Sequence, residues 1–108
     1  MRNLKIALDF DDTITVDPEF WSLFIALAKK YKHEVTIVTF RNDDASDNDD
    51  IEYFALKNKV DIVYTNFKQK SACFNADIWI DDLPILIPSY EALAKMKIGC
   101  EVNNERTL

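Results

Sequence analysis

The sequence predicts a single α/β domain over residues 1–108, a three-layer sandwich around a central parallel sheet of about five strands. Three observations predict it. Short apolar, β-rich runs alternate with helical patterns of about ten to fifteen residues, the signature of strand–helix–strand units. Several of those runs end abruptly in polar or acidic residues. The 108 residues, 48% of them hydrophobic, with one glycine and three prolines, suit one packed core and exclude a two-domain enzyme. Right-handed crossovers then place helices on both faces of a parallel sheet.

Leu4-Lys5-Ile6-Ala7-Leu8 reads as a first strand buried between helix layers. Asp17-Pro18 is a preferred helix opening, and Phe20, Leu23, Phe24, Leu27, Ala28 and Tyr31 recur at helical spacing, predicting a helix over 18–32. The β-branched run 35–39 is a second strand. Residues 41–50 hold five aspartates and read as a solvated acidic loop, since the fragment Asp47-Asn48-Asp49 lacks the glycine and closing glutamate of a calcium loop. Residues 51–57 resume a helical pattern, 60–65 form a third strand, and 77–80 a fourth. Pro84 and Pro88 open a last helix carrying Tyr90, Leu93, Ala94 and Met96; residues 98–102 supply a fifth strand and 103–108 a frayed tail. Trp21, Trp79 and the phenylalanines sit at core spacing, without the basic groove of a base-stacking platform.

Composition excludes several classes of function. A formal charge of −6 repels a phosphate backbone, which disfavours nucleic acid as a partner except through a terminal phosphate. No apolar run approaches the roughly 18 to 20 residues that span a bilayer, so no membrane partner is expected. One glycine, Gly99, cannot build a Walker or dinucleotide loop. One histidine, His33, set between Lys32 and Glu34, reads as solvated and supports neither a His-based zinc site nor a catalytic triad. Cys73 and Cys100 form no CxxC and read as reduced, packed thiols; with no signal-peptide pattern at the N-terminus, the expected location is cytoplasmic.

Ligand sites of such sheets lie at the carboxyl ends of the strands. There the sequence places Asp9, Asp11, Asp12 and Thr13 after the first strand, Thr39 and Arg41 after the second, and Asp81 and Asp82 after the fourth, with Lys68 and Lys70 shortly before it. Asp9 and Asp11 are two apart and in extended backbone point to one side, close enough to share a metal or a reacting group. Paired acids with no His or Cys cluster fit Mg²⁺, which takes one or two carboxylates plus phosphate oxygens and water. Arg41 is placed either to grip a phosphate or substrate carboxylate or to pair with the acids of 43–50.

The run Ile6-Ala7-Leu8-Asp9-Phe10-Asp11-Asp12-Thr13-Ile14 resembles the hhhDxDxT signature of the haloacid dehalogenase-like (HAD) superfamily, mostly Mg²⁺-dependent phosphatases. Thr39, a lysine at 68 or 70, and Asp81-Asp82 follow in the family's order, so the resemblance covers about residues 3–85. It implies a HAD-like, Rossmannoid fold and an aspartyl-phosphate mechanism. Asp9 would be the nucleophile and Asp11 the general acid and base; Thr39 and the lysine would hold phosphate oxygens. Mg²⁺ would be held by Asp9, the Asp11 backbone carbonyl and the Asp81-Asp82 pair, either member of which can be the direct ligand. An aspartate at position 11 favours phosphate over halide chemistry. Lys70 is preferred over Lys68 because Lys70-Ser71 leads into a short helix.

The resemblance departs from the commoner family pattern in size. Neither insertion point has room for a cap domain, so the open site suits a macromolecular phosphate end, or a small phosphate enclosed by a second subunit of a homo-oligomer. Two readings compete with the phosphatase. One is a non-catalytic or regulatory phosphate- and Mg²⁺-binding protein on the same scaffold. The other is a receiver-like phosphoacceptor, against which the order of the motifs speaks, since Thr39 or Thr65 stands where a receiver has its phosphorylated aspartate.

Overall fold

The computed structural model describes residues 2–88. In chain order these form β1 (Lys5–Leu8), α1 (Pro18–Lys30), β2 (Glu34–Thr39), α2 (Asp49–Asn58), β3 (Asp61–Tyr64), α3 (Lys70–Cys73) and β4 (Ile78–Ile80), with single 3₁₀ turns at Ile14–Val16 and Pro84–Leu86. The opening of α1 is as its sequence dictates. The Asp17 carboxylate accepts from the Phe20 N–H at 3.2 Å, Pro18 occupies the first turn, and Lys29 and Lys30 sit in the last turn, where the helix dipole favours cations. α2 starts two residues before the predicted 51, because Asp49, Asp50 and Glu52 all suit a first turn. It ends at Lys59, which adopts the left-handed conformation (φ 55°) that a glycine ordinarily takes. Asp12, Lys32, Asn66 and Phe67 do the same at other turns, as a chain with one glycine requires.

The sheet has the order β3-β2-β1-β4, and every pairing is parallel. Ile6 lies opposite Val35 on one side and Ile78 on the other, and Leu8 opposite Ile37 and Ile80. From β1 the chain moves outward through β2 to β3, then returns to the far side of β1 for β4. The reversal opens a crevice between the carboxyl ends of β1 and β4, the point where open α/β sheets bind ligands. Among the described residues the sheet has four strands, where about five were expected; the predicted fifth strand, most of the last helix, the tail and Cys100 lie outside the described residues.

α1 and α2 share one face of the sheet. Ile25 and Ala28 of α1, and Ile51, Phe54 and Ala55 of α2, form one cluster with Ile6, Leu8, Val35 and Ile37. The apolar row predicted for α1 is corrected by this packing. Ile25 and Ala28 are buried and Trp21 and Phe24 half-buried, whereas Phe20, Leu23, Leu27 and Tyr31 are each more than half exposed. The helix is apolar almost all round, so its spacing alone does not select the inward stripe, and contact with β1 and β2 does. Phe67 too is exposed rather than core.

Two further expectations change. His33 is half-buried rather than solvated, and its Nδ1 accepts from the Leu4 N–H at 3.0 Å, tying the entry of β1 to that of β2. Cys73 is a free, exposed thiol rather than a packed one, because the single turn of α3 leaves its last residue outward. No helix among the described residues is long and apolar enough to cross a membrane.

Candidate functional site

The crevice is built outward from the end of β1. The Asp9 N–H donates to the Ile80 carbonyl at 2.9 Å, which carries the β1–β4 ladder one residue past the strand and fixes the Asp9 backbone. Its side chain is therefore buried at the switch point, at 6% exposure. Two donors hold its oxygens: Thr13 Oγ1 reaches Oδ2 at 2.9 Å, and Lys70 Nζ reaches Oδ1 at 2.8 Å. Lys70, the first residue of α3, is 1% exposed and also donates to Asp81 Oδ2. A buried ammonium requires such partners, since losing hydration without them is costly. Lys68, the alternative lysine, is exposed.

Asp81 follows β4, and both its oxygens are engaged: Oδ2 accepts from Lys70 and Oδ1 accepts from the Leu83 N–H at 2.9 Å. Asp82 places its carboxylate beside Asp9. One oxygen each from Asp9, Asp81 and Asp82 lie within 4.8 Å of one another. Two carboxylates thus bind one ammonium, and a third, Asp82, stands beside them. Burial, and then the neighbouring Asp82, push the Asp9 carboxyl up to about 6, while Lys70 pulls the other way.

Such a cluster lacks positive charge, and its donors suit a hard cation. An all-oxygen donor set this close together can hold a hard divalent cation, of which Mg²⁺ is one. Asp9 and Asp81 each already accept from two donors, Thr13 and Lys70 for the one and Lys70 and Leu83 for the other, so Asp82, which accepts from no donor among the described residues, is the most available ligand.

Asp11 takes a different course. The chain turns after Asp9, with Asp12 at φ 60° and its N–H bonded to Thr15 Oγ1 at 2.9 Å, so the extended backbone that would align Asp9 with Asp11 is not formed. The Asp11 carboxylate faces Arg41 instead. Arg41 Nε and Nη2 donate to its two oxygens at 3.0 and 2.7 Å. The same guanidinium donates through Nη1 to Asp50 at 3.0 Å, to Asn48 Oδ1 at 3.2 Å and to the Asp47 carbonyl at 3.3 Å, and it lies 5.4 Å from the centre of the Phe10 ring. The Arg41 pairing holds the Asp50 carboxyl below the usual carboxylate range. Of the two roles weighed for Arg41 from sequence, the structure shows the pairing with an acid of 43–50, Asp50, and adds Asp11, so the chain itself fills the donors of this side chain.

Thr39, at the end of β2, is fully buried, and its Oγ1 has no hydrogen-bond partner among the described residues; the same holds for Thr65 Oγ1 just after β3. A buried unpaired hydroxyl is costly and calls for an explanation such as a ligand. The sequence reading did not assign roles to Thr13, Asn48, Asp50 or Thr65. Thr13 stands inside the first motif and was findable there. Asn48 and Asp50 were hidden in a loop whose acids look alike until Arg41 selects among them.

A cleft of about 420 Å³ lined by Asp12, Thr13, Phe20, Trp21, Asp81 and Asp82 opens beside the carboxylate cluster. A larger one, about 530 Å³, runs between α1 and α2 and meets the site only through Phe10 and Asp50. The smaller, more polar one adjoins the carboxylate cluster through Asp81 and Asp82. Comparison with protein-family models, with curated proteins and with solved structures finds no match to this chain.

Proposed function

We propose that the chain is a Mg²⁺-dependent phosphatase of HAD type that hydrolyses a phosphomonoester through an aspartyl-phosphate. The observation that supports this most is Asp9: a buried carboxylate at the switch point, oriented by Thr13 and Lys70, with Asp81 and Asp82 alongside. Bound by Asp9 and Asp82, Mg²⁺ would offset the repulsion between these carboxylates and the phosphate dianion.

The chain's own groups supply the rest. An Asp9 oxygen forms a bond to phosphorus as the ester P–O bond breaks, and Asp11 gives its proton to the departing alkoxide. Asp11 then takes a proton from water, whose oxygen attacks phosphorus and breaks the Asp9–phosphate bond, releasing inorganic phosphate and restoring both aspartates. Lys70 and the Thr39 hydroxyl, which has no partner among the described residues, would hold non-bridging oxygens. The open edge leaves room for either a small phosphate ester or a macromolecular phosphate end.

Phosphate release from sugar phosphates, nucleotides, phosphopeptides and end-phosphorylated oligonucleotides, with and without Mg²⁺, tests the proposal. Release should require the metal and fall about 10⁴-fold or more in Asp9→Asn. A folded chain that binds Mg²⁺ and releases no phosphate from any of them would instead be a non-catalytic binding protein.

A further inference from the structure

The contact between Arg41 and Asp11 poses a difficulty for the reaction just proposed. Asp11 must serve the ester oxygen, yet both its oxygens are bound to a guanidinium. For Asp11 to act, Arg41 must be given something in exchange. The two carboxylates on Arg41 are not equally held. Asp50 also accepts from the Ile51 N–H at 2.7 Å and stands at the start of α2. Asp11 has no side-chain partner except Arg41 among the described residues; both carboxylates are about half exposed, so the backbone tie of Asp50 is what sets them apart. Asn48, the Asp47 carbonyl, Asp50 and the Phe10 ring would keep the guanidinium in place if Asp11 left. Arg41 is thus a fixed fork with one exchangeable partner.

We infer that Arg41 selects phosphomonoesters bearing a second anionic group, a carboxylate or a further phosphate, which replaces Asp11 on the guanidinium and frees Asp11 for the ester oxygen. This rests on the phosphatase reading. With a carboxylate the exchange conserves charge at Arg41, with a phosphate it brings more negative charge to the guanidinium, and bidentate pairing suits either group. Arg41 is then a specificity determinant and Asp11 its displaced partner. The preference also runs against the background field, since a chain of net charge −6 repels the more anionic of two substrates.

The test compares matched esters with Mg²⁺ present: phosphoglycolate against ethyl phosphate for a carboxylate, and adenosine 3′,5′-bisphosphate against the 5′-monophosphate for a phosphate. In the unaltered chain kcat/KM should favour the doubly anionic member of at least one pair by about 10- to 100-fold, and the favoured pair identifies the group. Arg41→Gln should bring that ratio to about one, and Arg41→Lys, which keeps the charge and loses the fork, should retain only part of it. Asp50→Asn, which leaves Arg41 intact, should preserve the preference and so controls for loosening of the loop. Turnover with no preference for either anionic partner, or a preference that survives Arg41→Gln, overturns the inference and leaves the phosphatase standing. Absence of turnover on every ester overturns both.

Discussion

The cluster around Lys70 and the cluster around Arg41 lie at the same edge of the sheet and set several carboxylates against one cation, but in different surroundings. Lys70, Asp9 and Asp81 are almost wholly buried, and their cluster holds three carboxylates to one ammonium. Arg41 is 16% exposed, while the carboxylates of Asp11 and Asp50 are each about half exposed. Burial makes the first cluster costly and leaves it short of positive charge, which suits a site that gains a cation and a phosphate. Exposure makes the second cheap and exchangeable, which suits a group that must let go.

The largest expected break in this contrast is Lys70→Met. It leaves buried carboxylates without their cation, and removing one partner of a buried pair costs about 3–5 kcal/mol. Urea unfolding at neutral pH should show that loss, and millimolar Mg²⁺ should recover part of it. A loss below about 1 kcal/mol would mean that Lys70 does not neutralise the cluster.

The pH dependence sharpens the comparison further. Asp9 is raised from 3.8 to about 6, so between those values the folded chain binds more protons than the unfolded one. Its contribution to stability therefore falls as pH rises through this window and is fully unfavourable above it, by about 3 kcal/mol. Measured without divalent metal as the difference between the chain and Asp9→Asn, the variant should gain relative stability from pH 4 to 6. Mg²⁺ should abolish the gain. Asp50 is shifted the other way by Arg41, so its contribution is present at neutral pH and is lost as pH falls through the carboxylate range. A flat Asp9→Asn difference across pH 4 to 7 would show that the cluster imposes no such strain.

The smallest effect belongs to Arg41 itself. Partly exposed pairs are weakened by solvent and salt, so Arg41→Lys should cost no more than about 1 kcal/mol in stability. Thermal melting should place it close to the unaltered chain, in contrast to Lys70→Met. A cost comparable to that of Lys70→Met would make Arg41 a structural cornerstone rather than an exchangeable clasp.

The four described strands were legible because each is a short apolar run closed by polar residues, and a parallel sheet brings those closures to one edge; their order in the sheet was not. Lys70 was legible as the start of a short helix, and the structure buries it against Asp9 and Asp81 while leaving Lys68 in solvent. The orientation of Asp11 was not, since it depends on a turn that begins at Phe10, which the spacing of two residues does not reveal. Nor was the inward stripe of α1, because a helix with apolar residues on most sides carries no single face until a sheet presses on one.

The sequence by itself determined which residues stand at strand ends, since alternation and turn chemistry are local properties. Tertiary structure decided how those residues divide their partners: Asp9 to Thr13 and Lys70, Asp81 to Lys70 and Leu83, Asp11 and Asp50 to Arg41. Charge pairing and burial depend on distances in space between residues up to 61 positions apart in the chain, and such distances exist only once the sheet has closed.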